Sequence, residues 1–162
     1  MAAGLRPHTH EERLELARRL VPLWLTKFGD DLLAVAVSAS VARGQDCAYS
    51  DLELDVFVRQ KPAAENDYYL QRIVDGMLIE AIYHTPEEFL EDRMTIATHW
   101  HMSASDQLVP IYNAAFLEDL LAKVRSAQHS QQEFVRAATR ERFELQESFS
   151  KVLNAIAQEN RE

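Results

Sequence analysis

An α/β domain, with a small mixed sheet flanked by helices and followed by C-terminal helices, is the fold class this sequence predicts. Three observations carry that expectation. Two capping boxes, Thr9 with Glu12 and Thr85 with Glu88, mark helix starts. Short apolar or alternating runs at residues 32–40, 51–58 and 77–84 have the length and period of strands. The C-terminal stretch carries an apolar stripe at helical spacing through Phe134, Ala138, Leu145, Phe149, Val152, Leu153 and Ile156. A chain of 162 residues fits one compact domain with an appended helical piece. Its 47% hydrophobic and 27% charged content excludes a disordered polymer.

The elements follow in order. After the Thr9 cap, Leu14, Ala17, Leu20, Val21, Trp24 and Phe28 recur at helical spacing and Gly29 supplies the stop. Pro22 inside that pattern predicts a kink or a restart. Residues 32–40 read as a buried strand, and 41–50, with Gly44 and Asp46, as a short helical turn and loop. Residues 51–58 (DLELDVFV) alternate polar and apolar, which places Asp51, Glu53 and Asp55 on one face and Leu52, Leu54 and Val56 in the core. Residues 61–67 read as a loop, and 77–84 as a strand with Glu80 its one ionised residue. Pro86 at the first helical position extends the Thr85 signal, and Pro110 confines residues 109–113 to an edge strand. Helices are expected over about 115–128 and from Ser130, boxed with Glu133, to near the C-terminus.

Charge is unevenly placed. The net charge is −9, and residues 44–92 alone hold twelve acids against three bases, so the rest of the chain balances. Such acidity repels a nucleic-acid backbone and attracts divalent cations or polycations. No apolar run is long enough to span a bilayer, and the N-terminus lacks the basic-then-apolar pattern of a secretion signal. One cysteine, Cys47, excludes an internal disulfide framework and a Cys-rich zinc site. A cytoplasmic protein with no membrane and no nucleic-acid partner is the expectation.

Three carboxylates on one strand face repel one another unless something compensates. Mg²⁺ resolves the repulsion, because it takes hard oxygen ligands, often two carboxylates plus substrate phosphates. Just upstream, the small-residue turn from Ser40 to Gly44 can offer backbone N–H groups, the Ser40 hydroxyl and the Arg43 guanidinium to a polyphosphate. Glu80, a lone carboxylate in an apolar strand, suits a general base. Taken singly, each feature has a plainer reading: Asp51 and Glu53 as a solvated strand face, Arg43 as a surface ion pair. His99 and His101 lack a third ligand and read as loop residues. Trp24, Trp100 and Phe143 suit core or interface positions, and Cys47 reads as a passive thiol.

Together, Ser38-Ala39-Ser40 and Tyr49-Ser50-Asp51-Leu52-Glu53-Leu54 resemble the signature of the polymerase-beta-like nucleotidyltransferase superfamily. The match is closer to the kanamycin nucleotidyltransferase branch. Residues 9–13, Phe28-Gly29-Asp30-Asp31, Ala42-Arg43 and Leu108-Val109-Pro110-Ile111-Tyr112 also resemble it in order and spacing. The similarity covers roughly residues 9–128. It implies a nucleotidyltransferase domain over 1–128, with 129–162 as the first helix of a second, helical domain. It implies Ser40 and Arg43 on the triphosphate of ATP or another NTP, Asp51 and Glu53 on Mg²⁺, and Glu80 as the base that activates an acceptor hydroxyl. The acceptor would be a small molecule, with a cationic aminoglycoside suited to the concentrated acidity. Asp55 lies one step beyond the signature and receives no role. The signature glycine is replaced by Ala39, which adds a Cβ where the backbone approaches phosphate and disfavours a positive φ.

Two further expectations complete the reading. The long C-terminal stripe needs a partner surface, and a homodimer is the economical one. A nucleotidyltransferase-fold binding module, antitoxin-like and paired with a helical protein, is the alternative to an enzyme.

Overall fold

The computed structural model describes residues 4–62, 69–94, 107–126 and 131–159. In chain order they form α1 (His10–Phe28), a 3₁₀ turn (Gly29–Asp31), β1 (Leu32–Val37), a short α2 (Ala39–Ala42), β2 (Leu52–Val58), β3 (Tyr69–Val74), β4 (Met77–His84), α3 (Pro86–Met94), β5 (Val109–Tyr112), α4 (Ala114–Arg125) and α5 (Gln131–Glu159). The five strands make one mixed sheet in the order β3-β4-β2-β1-β5. Only β2 and β4 run parallel; every other pairing is antiparallel. The α/β fold class with a small mixed sheet is what the sequence predicts.

Period-two alternation sorts the side chains onto two faces. Against α1, residues Leu52, Leu54, Val56 and Val58 of β2 join Met77, Ile79, Ala81 and Tyr83 of β4. They pack with Leu16, Ala17, Val21 and Trp24 of α1. On the opposite face, Ala34, Ala36 and Phe57 meet Phe89 of α3 and Leu117, Leu120, Leu121 and Val124 of α4. The Phe57 and Phe89 rings stand 5.0 Å apart, edge to face. This second core covers only part of that face, and Glu53 and Glu80 lie on the part it leaves.

Both capping boxes close as read: Thr9 with Glu12, and Thr85 with Glu88. Helix α1 stops at Gly29, whose φ is 54°. It runs as one helix through Pro22, so the restart that Pro22 suggests does not occur. Strand β1 is shorter than expected, because Ala39 takes φ 50° and turns the chain into α2 instead of extending to residue 40. Strand β3 is an addition to the sequence reading. Asp75 and Gly76 both have positive φ, 52° and 79°, and close a tight hairpin from β3 into β4. The Asp-Gly pair is the signal that marks it. A Cβ on Gly76 would also meet the Arg6 side chain at 2.7 Å, because the N-terminal strap bonds Gly76 through Arg6 N–H.

Arg13 organises the loop between α2 and β2. Its side chain is 1% exposed and donates to five acceptors: the carbonyls of His8, Cys47, Ala48 and Ser50, and Asp46 Oδ2. A guanidinium has five N–H donors in a fixed fork, so all are used. Asp46 completes the clamp through Oδ1, 2.8 Å from His10 Nδ1. Arg13→Lys keeps the charge but not the fork, and leaves buried carbonyls without donors. We expect a loss of about 3 kcal/mol and a Tm lower by about 10 °C, read by urea and thermal unfolding. An unchanged Tm would show that the loop holds without the guanidinium.

Candidate active site

The site forms where β1 ends, β2 begins and β4 passes beside β2. Backbone pairing supplies the frame: Glu53 lies opposite Glu80 in the parallel β2–β4 ladder, and Ser38 N–H donates to the Glu53 carbonyl at 3.0 Å. Neighbouring strands lie about 4.8 Å apart, so the two carboxylate-bearing residues are adjacent on one face. Asp51 immediately precedes β2, fixed by the Arg13 bond to the Ser50 carbonyl and by Ser50 Oγ accepting from Cys47 N–H at 2.9 Å. Asp51, Glu53 and Glu80 are all half-buried.

Their electrostatics show the convergence. Burial raises the Glu53 carboxyl above its ordinary value, and the charges of Asp51, Glu80 and Asp55 raise it further; Arg43 opposes them. Arg43 is exposed, and its Nε donates to Gln45 Oε1 at 3.1 Å. Among the described residues no salt bridge engages Arg43, and its charge acts on Glu53. Glu80 accepts a hydrogen bond from the Gln71 amide of β3. Ser40 is half-buried in α2, and its carbonyl accepts from Gln45 N–H at 2.9 Å, which folds the turn back on itself. Thus the structure gathers Asp51, Glu53, Glu80 and Arg43 into one charge cluster, with Ser40 on the adjoining turn.

Ala39 holds the strained position. Its φ of 50° lies in the left-handed region, where an L side chain costs about 1–2 kcal/mol. The backbone therefore keeps the conformation a glycine would favour, although the residue is alanine.

Asp55 departs from the simple alternation. It shares the face of Glu53 but is 3% exposed, because α3 closes over it. Its Oδ1 lies 2.7 Å from Nε2 of His84, whose ring packs beside Phe57 and Phe89. Arg93 of α3 also faces Asp55; burial lowers the Arg93 guanidinium from its ordinary value, and Asp55 and Asp92 counter that. Asp55 thus belongs to the buried junction between sheet and α3. Sequence reasoning missed that junction, along with Gln71 and the Arg13 clamp, since each depends on a contact distant in sequence.

Of the other candidates, Trp24 is buried in the core, Phe143 is exposed on α5, and Cys47 is an exposed free thiol. His99, Trp100 and His101 lie outside the described residues. No described helix is long and apolar enough to cross a membrane.

Carboxylate oxygens suit a hard cation, which would relieve the part of the Glu53 shift that its acidic neighbours add to that of burial. Among the described residues, no three His, Cys, Asp or Glu side chains form a ready-made metal cluster. An ion held at Asp51 and Glu53 would need further ligands from a bound molecule, as Mg²⁺ commonly takes them from phosphates.

Comparison with known proteins agrees with the resemblance drawn from the motifs. The chain is similar to an aminoglycoside nucleotidyltransferase (4') of Staphylococcus aureus, 24% identical over 123 residues, which cover 74% of this chain and 47% of the relative. The same identity and coverage hold for an aminoglycoside nucleotidyltransferase (4') of a Bacillus species. The chain spans about half the length of the curated relatives it matches. No family model matches it.

The raised Glu53 carboxyl fixes a pH dependence. A carboxyl whose folded pKa exceeds its unfolded value binds its proton more tightly when folded, so stability falls as pH rises from the unfolded value through the folded one. Glu53→Gln removes that penalty. We expect its Tm to exceed the parent's at pH 7, with the gain shrinking as pH falls toward 4. A gain independent of pH would mean that Glu53 is not the group responsible.

Proposed function

We propose that the chain is the nucleotide-binding half of a Mg²⁺-dependent nucleotidyltransferase, which moves a nucleoside monophosphate from ATP or another NTP to a hydroxyl and releases pyrophosphate. The observation that carries this reading is the pairing of Glu53 with Glu80 across β2 and β4, beside Asp51 and Arg43. The named activity of the relatives points the same way.

In this reading Ser40 and Arg43 hold the triphosphate, with the Arg43 guanidinium presenting paired N–H donors to phosphate oxygens. Asp51 and Glu53 hold Mg²⁺, which neutralises phosphate charge and supports in-line attack when bound. Glu80 takes the proton of the acceptor hydroxyl, while Gln71 holds one of its oxygens in place. A cationic, polyhydroxylated acceptor of the aminoglycoside kind suits a region that carries the chain's whole net charge of −9. Residues 1–128 form the transferase domain and 129–162 the start of a helical domain, in a cytoplasmic protein.

Assembly as a homodimer belongs to the same proposal. On α5, Phe143, Leu145, Phe149, Val152 and Leu153 are between 51% and 67% exposed, an apolar surface along a helix of 29 residues. Light scattering reads the assembly; a mass that stays at 18.6 kDa on concentration would exclude the dimer.

The second reading, a binding module with little or no catalysis, is favoured by Ala39, whose Cβ crowds the turn that phosphate would approach. Two variants separate the readings. Asp51→Asn should abolish Mg²⁺-dependent ATP binding in calorimetry while keeping the fold. Glu80→Gln should retain that binding and lose transfer of labelled nucleotide to kanamycin by about 100-fold or more. Unchanged Mg²⁺–ATP affinity in Asp51→Asn would overturn the metal assignment, and retained turnover in Glu80→Gln the base. ATP binding without any transfer in the parent would favour the binding module.

A further inference from the structure

The sheet face turned away from the carboxylates carries a second concavity. Between α1 and the β3–β4 hairpin lies a cavity of about 320 Å³. Leu20 and Trp24 of α1 line it with Ile79 and Tyr83 of β4, and Lys27 and Arg72 are its two cations. Its floor is preformed: Trp24, Ile79 and Tyr83 are 5%, 2% and 3% exposed and belong to the main core. Volume and lining fall at the small end of the range for small-molecule sites, which are mostly apolar with a few convergent polar groups.

Charge identifies the ligand class. Among the described residues, no acidic side chain lines the cavity. Lys27 and Arg72 are both exposed, on opposite sides of the opening, one from α1 and one from β3. Lys27 Nζ stands 5.0 Å from the Tyr83 ring centroid and 5.1 Å from that of Phe28. Its contacts are therefore to aromatic faces, and among the described residues no carboxylate pairs with it or with Arg72. In a chain of net charge −9, two cations with no acidic partner among the described residues, set over an apolar recess, are complementary to an anion with an apolar body. Arg72 offers a planar fork that matches a carboxylate, and Lys27 a point charge beside it. An aryl or short alkyl body would fill the recess below.

We propose that this cavity binds a small amphipathic carboxylate, seated with its apolar body against Trp24, Ile79 and Tyr83 and its charge between Lys27 and Arg72. The site is distinct from the carboxylate cluster and does not depend on the nucleotidyltransferase reading. Ile79 faces the cavity while its neighbour Glu80 faces the opposite side of the sheet, so the two sites share one strand.

The test uses the full chain, with 4-butylbenzoate as probe and the neutral 4-butylbenzamide as its control, both titrated by calorimetry. Saturable binding of the benzoate is expected, about tenfold tighter than the amide. The double variant Lys27→Gln/Arg72→Gln changes exposed positions only, and its folding is checked by thermal unfolding. That variant should bind acid and amide equally. Resonance shifts on benzoate addition should centre on Trp24, Leu70 and Tyr83. Failure of the benzoate to saturate below about 5 mM, equal binding of acid and amide to the parent, or a preference that survives in the double variant would each overturn the proposal. Shifts confined to α5 would overturn it as well, by placing the probe on the exposed apolar stripe.

Discussion

The buried Arg13 guanidinium is the contact on which the candidate site depends. The loop from residue 44 to 50 joins α2 to β2 and has no ladder of its own, so its carbonyls need donors from elsewhere. Arg13 supplies them to Cys47, Ala48 and Ser50, and Asp46 balances its charge. The carboxylate of Asp46 is in turn shared with His10, so two side chains of α1 hold the loop's one acid. Because the loop ends at Ser50, this clamp sets where Asp51 and the start of β2 lie. A charge in the core is expensive unless every donor is met, and here every donor is met. The Thr9 box that opens α1 places Arg13 at the required height, which links a local capping signal to the geometry of a site nearly forty residues later.

The sheet divides its labour by face. Toward α1 the alternation is purely apolar along β2 and β4, and one helix suffices to cover it. Toward α3 and α4, small residues on β1 (Ala34 and Ala36) and the aromatic Phe57 let the two helices pack closely over one half. The other half is left for Glu53 and Glu80. Asp55 sits at the boundary, and its bond to His84 lets a carboxylate lie under α3 without a solvent contact. The parallel pairing of β2 with β4 follows from the β3–β4 hairpin, in which β3 takes the outer position and returns β4 to the centre. That return is what brings Glu80 to Glu53.

Legibility in the sequence tracks the range of the interaction. Capping boxes, the Gly29 stop and the strand period act within a few residues, and they locate α1, β2, β4 and α3 accurately. The carboxylates and the Ser40–Arg43 turn were readable because their spacing along one strand and its approach is itself local. Strand β3 escaped although Asp75-Gly76 marks its hairpin, because residues 69–74 mix Gln71 and Arg72 into an apolar run and lie at the sheet edge. The bonds from Arg13 to the 44–50 loop, the Asp55–His84 bond and the Gln71–Glu80 bond join residues 9 to 37 positions apart, and no local pattern encodes them.

The energetics of the Glu53 position run against those of the fold. A solvated acidic face would leave each carboxyl free to ionise without cost. Glu53 is instead held half-buried between Asp51, Glu80 and Asp55, so that ionising it opposes folding. Ala39 adds a second cost at the turn opposite, in a backbone conformation that alanine disfavours. Both costs fall on the few residues that line one end of β2, whereas the rest of the sheet is packed without such conflict. Strain and like charge are thus concentrated at a single place, the pattern expected of the ligand site proposed above. The buried clamp of Arg13 and the apolar α1 face supply the stability that lets this end of the sheet remain unfavourable on its own.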